Sequence, residues 1–405
     1  MNFVEKESQH FFHTYKRIPL DIDRGEGVYL ITKDGTRYLD LFAGIAVNAL
    51  GYNHPAVIAA IMEQVQKYIH VSNFFYQDRQ LALADRLIAA SGFSKVFLTN
   101  SGTEALEGSL KLARKWGRSS GKTTIFGLTG SFHGRTFGSL SITGREKYRD
   151  GYDPFLPNTY ILKFNDIDDL TQNINERTLA VVLEFIQGEG GINLVSREYI
   201  DLLARLREQF DFLIIADEIQ SGIGRTGKFF GFHHFGLTPD IVVVAKALGG
   251  GLPLGAILGT EKLDNVFTPG SHGTTFGGNP VACAAGLATL QEILDHGAMK
   301  NAESTGEYLK RRLVELMGQY PELIQEVRGL GLMLGVQMKF DANQLAEDLR
   351  ESKVLVNVTE NTVLRFVPAL ILSKKEADTG VEALRTGLDR HLSAARRHQQ
   401  SSIHI

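Results

Sequence analysis

Two runs of the chain contain no polar position, FLIIA at 212–216 and IVVVA at 241–245, and each ends on a charged residue, Asp217 and Lys246. Runs this short, unalternating and β-branched predict central strands of a parallel sheet buried on both faces. Around them the period switches regularly. Strands are predicted over 95–98, 123–128 and 179–184, and helices over 103–116 and 198–210, the second with Tyr199, Leu203, Leu206 and Phe210 on one stripe. Such alternation predicts a doubly wound α/β sheet. The chain ends read differently. Residues 28–31 and 38–42 form a hairpin pattern around KDGT at 33–36, and a helix follows Pro55 with Ile58, Ile61, Met62, Val65 and Ile69 on one apolar face. Asn279 and Pro280 cap and open a long helix ending near Gly297. Beyond it, strands are predicted over 328–337 and 362–367, and SKKE at 373–376 is a capping box opening the last helix. The expected division is a large domain over 53–297 and a smaller α+β domain from 1–52 and 298–395, with a polar, frayed tail over 396–405.

A chain of 405 residues exceeds the roughly 250 to 300 at which one core stops growing, which agrees with two domains. The formal net charge of -3 carries no basic surplus for a nucleic acid partner. No stretch of about 18 apolar residues exists to span a membrane, and no apolar signal core opens the chain, so a cytoplasmic location is expected. The single cysteine, Cys283 in VACAA at 281–285, reads as a packed small hydrophobe; it rules out an intrachain disulfide, and no metal ligand set is expected.

Open α/β sheets place ligands beyond the carboxyl ends of their strands, so Asp217 and Lys246 face one crevice. Neither charge is buried cheaply alone. A heteroaromatic cofactor with a basic ring nitrogen and an aldehyde satisfies both. SGTEA at 101–105 follows a strand and opens a helix, so Ser101, Gly102 and Thr103 offer amides and hydroxyls to a phosphate, although a capped helix start needs no ligand. HGTTFGGNP at 272–280, with Thr274 and Thr275, is a second glycine-rich candidate. In FHGRT at 132–136, Phe132 suits stacking on a planar ring and Arg135 suits a carboxylate, while His133 reads as an orienting group. Taken singly, Phe132 is more ordinary as core and Arg135 as a surface ion-pair partner. Glu184 ends another strand, and Glu189 lies in the glycine-rich QGEGG at 187–191.

These segments, with GIAVNALG at 44–51, DEIQ at 217–220, GRTG at 224–227 and AKALGGG at 245–251, resemble the class III, ω-type pyridoxal-phosphate aminotransferases of fold type I along nearly the whole chain. The resemblance implies a mainly parallel seven-stranded large domain, pyridoxal 5'-phosphate, and a homodimer with shared active sites. It implies that Lys246 holds the cofactor as a Schiff base and then moves the proton, that Asp217 bonds the ring nitrogen, and that Gln220 contacts the phenolic oxygen side. Gly102 and Thr103 would bind the phosphate, as would Thr275 in the neighbouring subunit. Arg135 and Thr274 would contact substrate, and Glu189 would mask Arg365 (LRFVP at 364–368) in one half-reaction and swing away in the other. N2-acetyl-L-ornithine is the expected amino donor and 2-oxoglutarate the acceptor, in arginine biosynthesis. Ornithine, succinylornithine, 4-aminobutyrate and succinyl-diaminopimelate remain open as donors, and a decarboxylase or aminomutase shares the fold type. The chain departs from the family pattern at Phe185, usually proline, and at Tyr52, commonly histidine. Two other motifs mislead: GRSSGKT at 117–123 is a P-loop look-alike preceding a strand, and GLGLMLG at 329–335 has the wrong spacing for a dinucleotide fingerprint.

Overall fold

Residues 3–402 are described by the computed structural model, with side chains over 5–394. The chain opens on an antiparallel meander of β1 (Ile22–Glu26), β2 (Tyr29–Thr32) and β3 (Arg37–Asp40). The large unit contributes β4 (Lys95–Thr99), β5 (Thr124–Leu128), β6 (Thr159–Leu162) and β7 (Thr178–Leu183). A small hairpin of β8 (Ile186–Gln187) and β9 (Asn193–Leu194) comes next. The large unit then closes with β10 (Leu213–Asp217), β11 (Ile241–Val244) and β12 (Gly255–Gly259). The C-terminal part adds β13 (Ile324–Leu330), β14 (Met333–Met338), β15 (Val354–Leu355), β16 (Asn357–Thr359) and β17 (Val363–Phe366).

Seven strands form the central sheet in the order β4-β12-β11-β10-β7-β5-β6, and only β12 runs against the others. Every residue of β7, β10, β11 and β12 is buried, whereas the edge strands β4 and β6 are partly exposed. The unalternating apolar runs are therefore the central strands, because helices cover both faces. Tyr199, Leu203 and Leu206 pack inward from the Arg197–Phe210 helix as their spacing requires, and Cys283 is a buried free thiol. In the smaller unit β15 pairs in parallel with β3, Val354 opposite Leu39, so the two chain ends share one sheet. A second sheet of order β13-β14-β17-β16 carries Arg365 on β17.

The 328–337 stretch is not one strand. It breaks into β13 and β14 at Gly331, whose φ of 53° lies in the left-handed region, so GLGLMLG is a hairpin turn. GRSSGKT likewise forms a short 3₁₀ turn, Gly117–Ser120, before β5. Asn279 caps the Pro280–Leu294 helix through two amides, and Ser373 and Glu376 complete the capping box. The last helix, Lys374–Ser402, continues past Arg396, where the polar composition predicts fraying, and 403–405 lie outside the described residues.

The Pro55–Lys67 helix departs from ordinary amphipathic packing. It buries Val57 and Gln64, while Ile58, Met62 and Val65 of its apolar stripe stay exposed, Met62 to 56%. No helix among the described residues is long and apolar enough to cross a membrane.

Candidate active site

The carboxyl ends of β11, β10, β7 and β5 lie side by side, and each hands out a polar residue: Lys246 beyond β11, Asp217 at the tip of β10, Glu184 beyond β7, and Phe132 and His133 beyond β5. β4 points the same way, because two antiparallel steps through β12 restore its direction; it delivers Asn100, Ser101, Gly102 and Thr103. All of these line one cavity of about 440 Å³, with Arg135 and Gln220 in its wall. It opens where ligands of such sheets are found.

Lys246 begins a tight 3₁₀ turn with φ of 47°, a left-handed conformation that costs a β-carbon residue roughly 1–2 kcal/mol. Strain of this kind persists where the surroundings dictate it, often at working sites. Burial, and then the nearby Arg365 charge, hold the Lys246 ammonium down to about 8. No group among the described residues hydrogen-bonds its Nζ.

Asp217 is 3% exposed. Its Oδ2 lies 2.7 Å from His133 Nδ1, and its Oδ1 accepts from the Ile219 amide at 3.1 Å. The other ring nitrogen of His133 is buried without a partner. Glu184 accepts from the Phe132 and Gly188 amides, both at 3.0 Å; burial first, and then the Asp217 charge, push its carboxyl up to about 7. The two neighbouring carboxyls therefore differ in partners: Asp217 has the imidazole, and Glu184 only amides.

At the start of the Gly102–Trp116 helix the Ser101 hydroxyl accepts from the Glu104 amide, leaving the Gly102 and Thr103 amides without an acceptor among the described residues. Such amides at a helix N-terminus attract an anion. A β-carbon at Gly102 would sit 2.6 Å from Ile219 Cδ1, so the glycine lets the chain pass close to that side chain. Phe132 meets the edge of Tyr148 at 5.5 Å, and the Arg135 guanidinium lies over the same Tyr148 ring at 3.9 Å.

Behind Gln220 sits an ion pair. Arg365 Nη1 donates to the Glu189 carboxylate and, at 3.1 Å, to Gln220 Oε1, while its Nε donates to Asn357 on the adjacent strand at 2.8 Å. Burial acts to raise the Glu189 carboxyl, and Arg365 more than offsets it, so the group lies below its usual range. Phe185 does not divert this turn. It is buried against Phe232 and Phe235 at 6.1 and 5.5 Å, and Glu189 still reaches Arg365. Tyr52 replaces the usual histidine with a hydroxyl that donates to buried Asp40 at 2.5 Å.

Ser101, Gly102, Thr103, Phe132, Arg135, Asp217, Gln220 and Lys246 thus converge on one cavity, with Glu189 and Arg365 beside it. Thr274 and Thr275 do not join them. They line a separate surface hollow of about 940 Å³ with His70 and Phe97; Thr275 is exposed, and Thr274 accepts from Asn100 Nδ2 at 3.3 Å. Sequence reasoning missed Val47, Asn100 and the 252–254 segment in the cavity wall. The rule that strand ends face the crevice reaches Asn100, whereas Val47 falls in the GIAVNALG segment with no role assigned to it from the pattern. No group of three or more His, Cys, Asp or Glu residues that could hold a metal occurs among the described residues.

The family model of the class-III aminotransferases matches residues 11–388. The acetylornithine aminotransferase of Caldanaerobacter subterraneus subsp. tengcongensis is 43% identical over 386 residues, covering 94% of this chain and 98% of that protein. The same-named protein of Aquifex aeolicus is 42% identical, covering 93% and 99%. Among solved structures, the ornithine aminotransferase of Toxoplasma gondii superposes with a TM-score of 0.92 at 30% identity, covering 96% of this chain and 95% of its own. The acetylornithine aminotransferase of Elizabethkingia anophelis superposes at 0.85 with 31% identity, covering 95% and 98%. With strand-end lysine and aspartate converging in one cavity and a family match along almost its whole length, this chain belongs to the class-III aminotransferases.

Proposed function

We propose that this protein transfers the ω-amino group of N2-acetyl-L-ornithine to 2-oxoglutarate, giving N-acetyl-glutamate 5-semialdehyde and glutamate, a step of arginine biosynthesis. The observation that carries the reading is the placing of Lys246 and Asp217 on adjacent strand ends with the Glu189–Arg365 pair beside them. Acetylornithine aminotransferases at 40–43% identity over at least nine-tenths of the chain favour this donor.

The cavity fits pyridoxal 5'-phosphate: a buried amine without a partner for its aldehyde, a buried carboxylate for its ring nitrogen, and free helix-start amides at Gly102 and Thr103 for its phosphate. When bound, the cofactor supplies an aldehyde for amine exchange and a ring that accepts electrons from the carbon bearing the amine. The chain's own groups do the rest. Burial brings the Lys246 amine down to about 8, so near neutral pH a usable fraction is unprotonated, and its Nζ takes the proton from that carbon and returns it one position away. Asp217, fixed by His133 and the Ile219 amide, holds a proton on the ring nitrogen. Phe132 provides a stacking face, and Gln220 lies on the side of the phenolic oxygen.

Substrate discrimination follows from charge. An incoming ω-amine carries its carboxylate at the far end, where Arg135 holds it, joined in a homodimer by Thr274 from the second copy; near the reacting carbon the wall must then be neutral. Glu189 makes it neutral by masking Arg365. 2-Oxoglutarate brings a second carboxylate to that place, so Glu189 must give way.

A second copy completes the site. Phe74 and Tyr76 are 94% and 99% exposed, Met62 and Val65 are exposed on the Pro55–Lys67 helix, and Thr275 lies open beside Phe276; apolar surface of this kind marks an interface. In a homodimer Thr275 reaches the phosphate held by the partner subunit. The division of the chain at about residues 52 and 297, and a cytoplasmic setting with Cys283 reduced, belong to the same reading.

The test is a panel of kcat/KM values with 2-oxoglutarate across acetylornithine, ornithine, succinylornithine and 4-aminobutyrate, with glutamate and carbon dioxide both assayed. Preference for acetylornithine with glutamate formation is expected; preference for ornithine or 4-aminobutyrate, or release of carbon dioxide, overturns it.

A further inference from the structure

Arg145 is a buried guanidinium that none of the roles above employs. Its side chain is 6% exposed, although it lies outside the cavity wall and precedes the short Glu146–Arg149 helix. Gly144 beside it bridges to Thr129 at the end of β5, which anchors Arg145 to the central sheet. One Nη donates to the backbone carbonyl of Glu189 and the other to the carboxylate of Glu360, on the turn joining β16 and β17. The guanidinium also lies 5.1 Å from the Tyr148 ring that carries Arg135 on its face. Arg145 therefore touches the gate turn and the hairpin bearing Arg365, and shares an aromatic platform with a cavity arginine.

The backbone around Glu189 is clamped. Arg328 donates to the Gly191 carbonyl at 2.9 and 2.6 Å, Asn193 Nδ2 to the Gly190 carbonyl at 2.7 Å, and Gln187 Nε2 to the Thr129 carbonyl at 2.8 Å. The gate must then move by rotation of the Glu189 side chain, not by displacement of the turn. The Glu189 side chain is 21% exposed, so a carboxylate leaving Arg365 is only partly taken up by water, and a second cation lowers the cost of the move. The cations acting on Glu189 are Arg365, Lys246 and Arg145. Arg365 is taken by the substrate carboxylate, and the Lys246 amine is committed to chemistry.

We propose that Arg145 is the parking partner of the gate: during the 2-oxoglutarate half-reaction the Glu189 carboxylate turns from Arg365 to the Arg145 guanidinium, displacing Glu360. The exchange is feasible because Glu360 is 48% exposed, so its carboxylate returns to water when Glu189 displaces it. Arg145 is thus a positioning residue for acceptor specificity, and its role rests on the gating function assigned above to Glu189 and Arg365.

Single-turnover absorbance of the holoenzyme, followed separately with acetylornithine and with 2-oxoglutarate, tests this. Arg145→Gln is expected to slow the 2-oxoglutarate half-reaction by about tenfold or more while the amine half-reaction changes less than about threefold. Glu360→Gln, which removes the competitor for Arg145, leaves the amine half-reaction unchanged and does not slow the other. In a Glu189→Ala background, adding Arg145→Gln changes neither half-reaction further, because no carboxylate remains to be parked. Arg145→Lys keeps the charge without the fork and gives an intermediate loss; it serves for the same comparison if Arg145→Gln does not accumulate folded. The proposal is overturned if Arg145 substitution slows both half-reactions equally, or if its effect persists undiminished without Glu189, since either result describes a structural clip. Failure of the gate itself reads out separately, as equal effects of Glu189→Ala alone on the two half-reactions.

Discussion

Glu189 on the β8–β9 turn pairs with Arg365 on β17, so a carboxylate from the rim of the central sheet neutralises an arginine presented by the C-terminal sheet. Arg365 is 1% exposed and is also held by Asn357 and Gln220, so its guanidinium stays in place whichever way Glu189 turns. In the proposed gate the pair makes one fixed fork serve as two surfaces, neutral when masked and carboxylate-binding when bare.

Replacing Glu189 with alanine leaves the fork permanently bare. The amine half-reaction with acetylornithine is expected to lose about tenfold or more in kcat/KM, worth roughly 1.4 kcal/mol, while the glutamate and 2-oxoglutarate half-reactions stay within about threefold. Stopped-flow spectra of the two halves check this. Thermal stability falls as well, because Arg365 is left a buried cation without its carboxylate, although two hydrogen-bond partners remain.

His133, itself in the cavity wall, fixes Asp217 through its Nδ1. His133→Leu is expected to reduce cofactor affinity and kcat by about 10- to 100-fold, the worth of one hydrogen bond to a buried charge. Equilibrium dialysis against pyridoxal 5'-phosphate measures the first and steady-state rates the second. His133→Asn, which can still donate, should recover part of both. An unchanged affinity in the leucine variant would show that the imidazole merely packs.

Much of the central sheet was legible because its strands are buried on both faces, and an apolar run ending on Asp217 or Lys246 then has one reading. β12 was not, since GAILG is short and bounded by glycines, and its antiparallel direction is fixed by pairing with β4 and β11, not by composition. β1 was missed because its residues IDRGE are polar and almost entirely exposed. Within the site, residues just beyond strand ends could be named in advance. The partnership of His133 with Asp217 could not, because it depends on two strand ends separated by β7. The exposed face of the Pro55–Lys67 helix shows the limit from the other side: the period revealed an apolar stripe, and only the fold shows that nothing among the described residues covers it.

Lys246 sets a pH dependence in the cofactor-free protein. Its folded value is lowered to about 8 by burial and by Arg365, from about 10.4 in an unfolded chain. Between those values the unfolded state binds more protons, so this residue's contribution to stability rises with pH across roughly 8 to 10.4. Below pH 8 the folded protein holds a buried charge at a cost. Lys246→Met removes that cost, so the inactive apo variant should melt higher than the parent at pH 7, and the gap should close as pH approaches about 10. Scanning calorimetry of both apo proteins over pH 7 to 10 tests it, and a gap that widens with pH contradicts the assignment.

The shared site makes the sharpest demand on the second copy. If Thr275 binds the phosphate of the neighbouring subunit, then Thr275→Glu, which sets a carboxylate against that phosphate, damages its partner's site and not its own. Lys246→Ala damages its own site. Each homodimer alone is expected to be nearly inactive. In a mixed dimer the subunit that keeps Lys246 receives Thr275 from the Lys246→Ala subunit, so one site carries both lesions and the other carries none. Activity should therefore reappear on mixing after brief dissociation, with the parent KM for acetylornithine. If Thr275 served its own subunit, every site in the mixed dimer would hold one lesion and no activity would return. A charge placed in the exposed stripe, Met62→Lys, should prevent that recovery by holding the subunits apart, with sedimentation reporting monomer at the concentrations assayed.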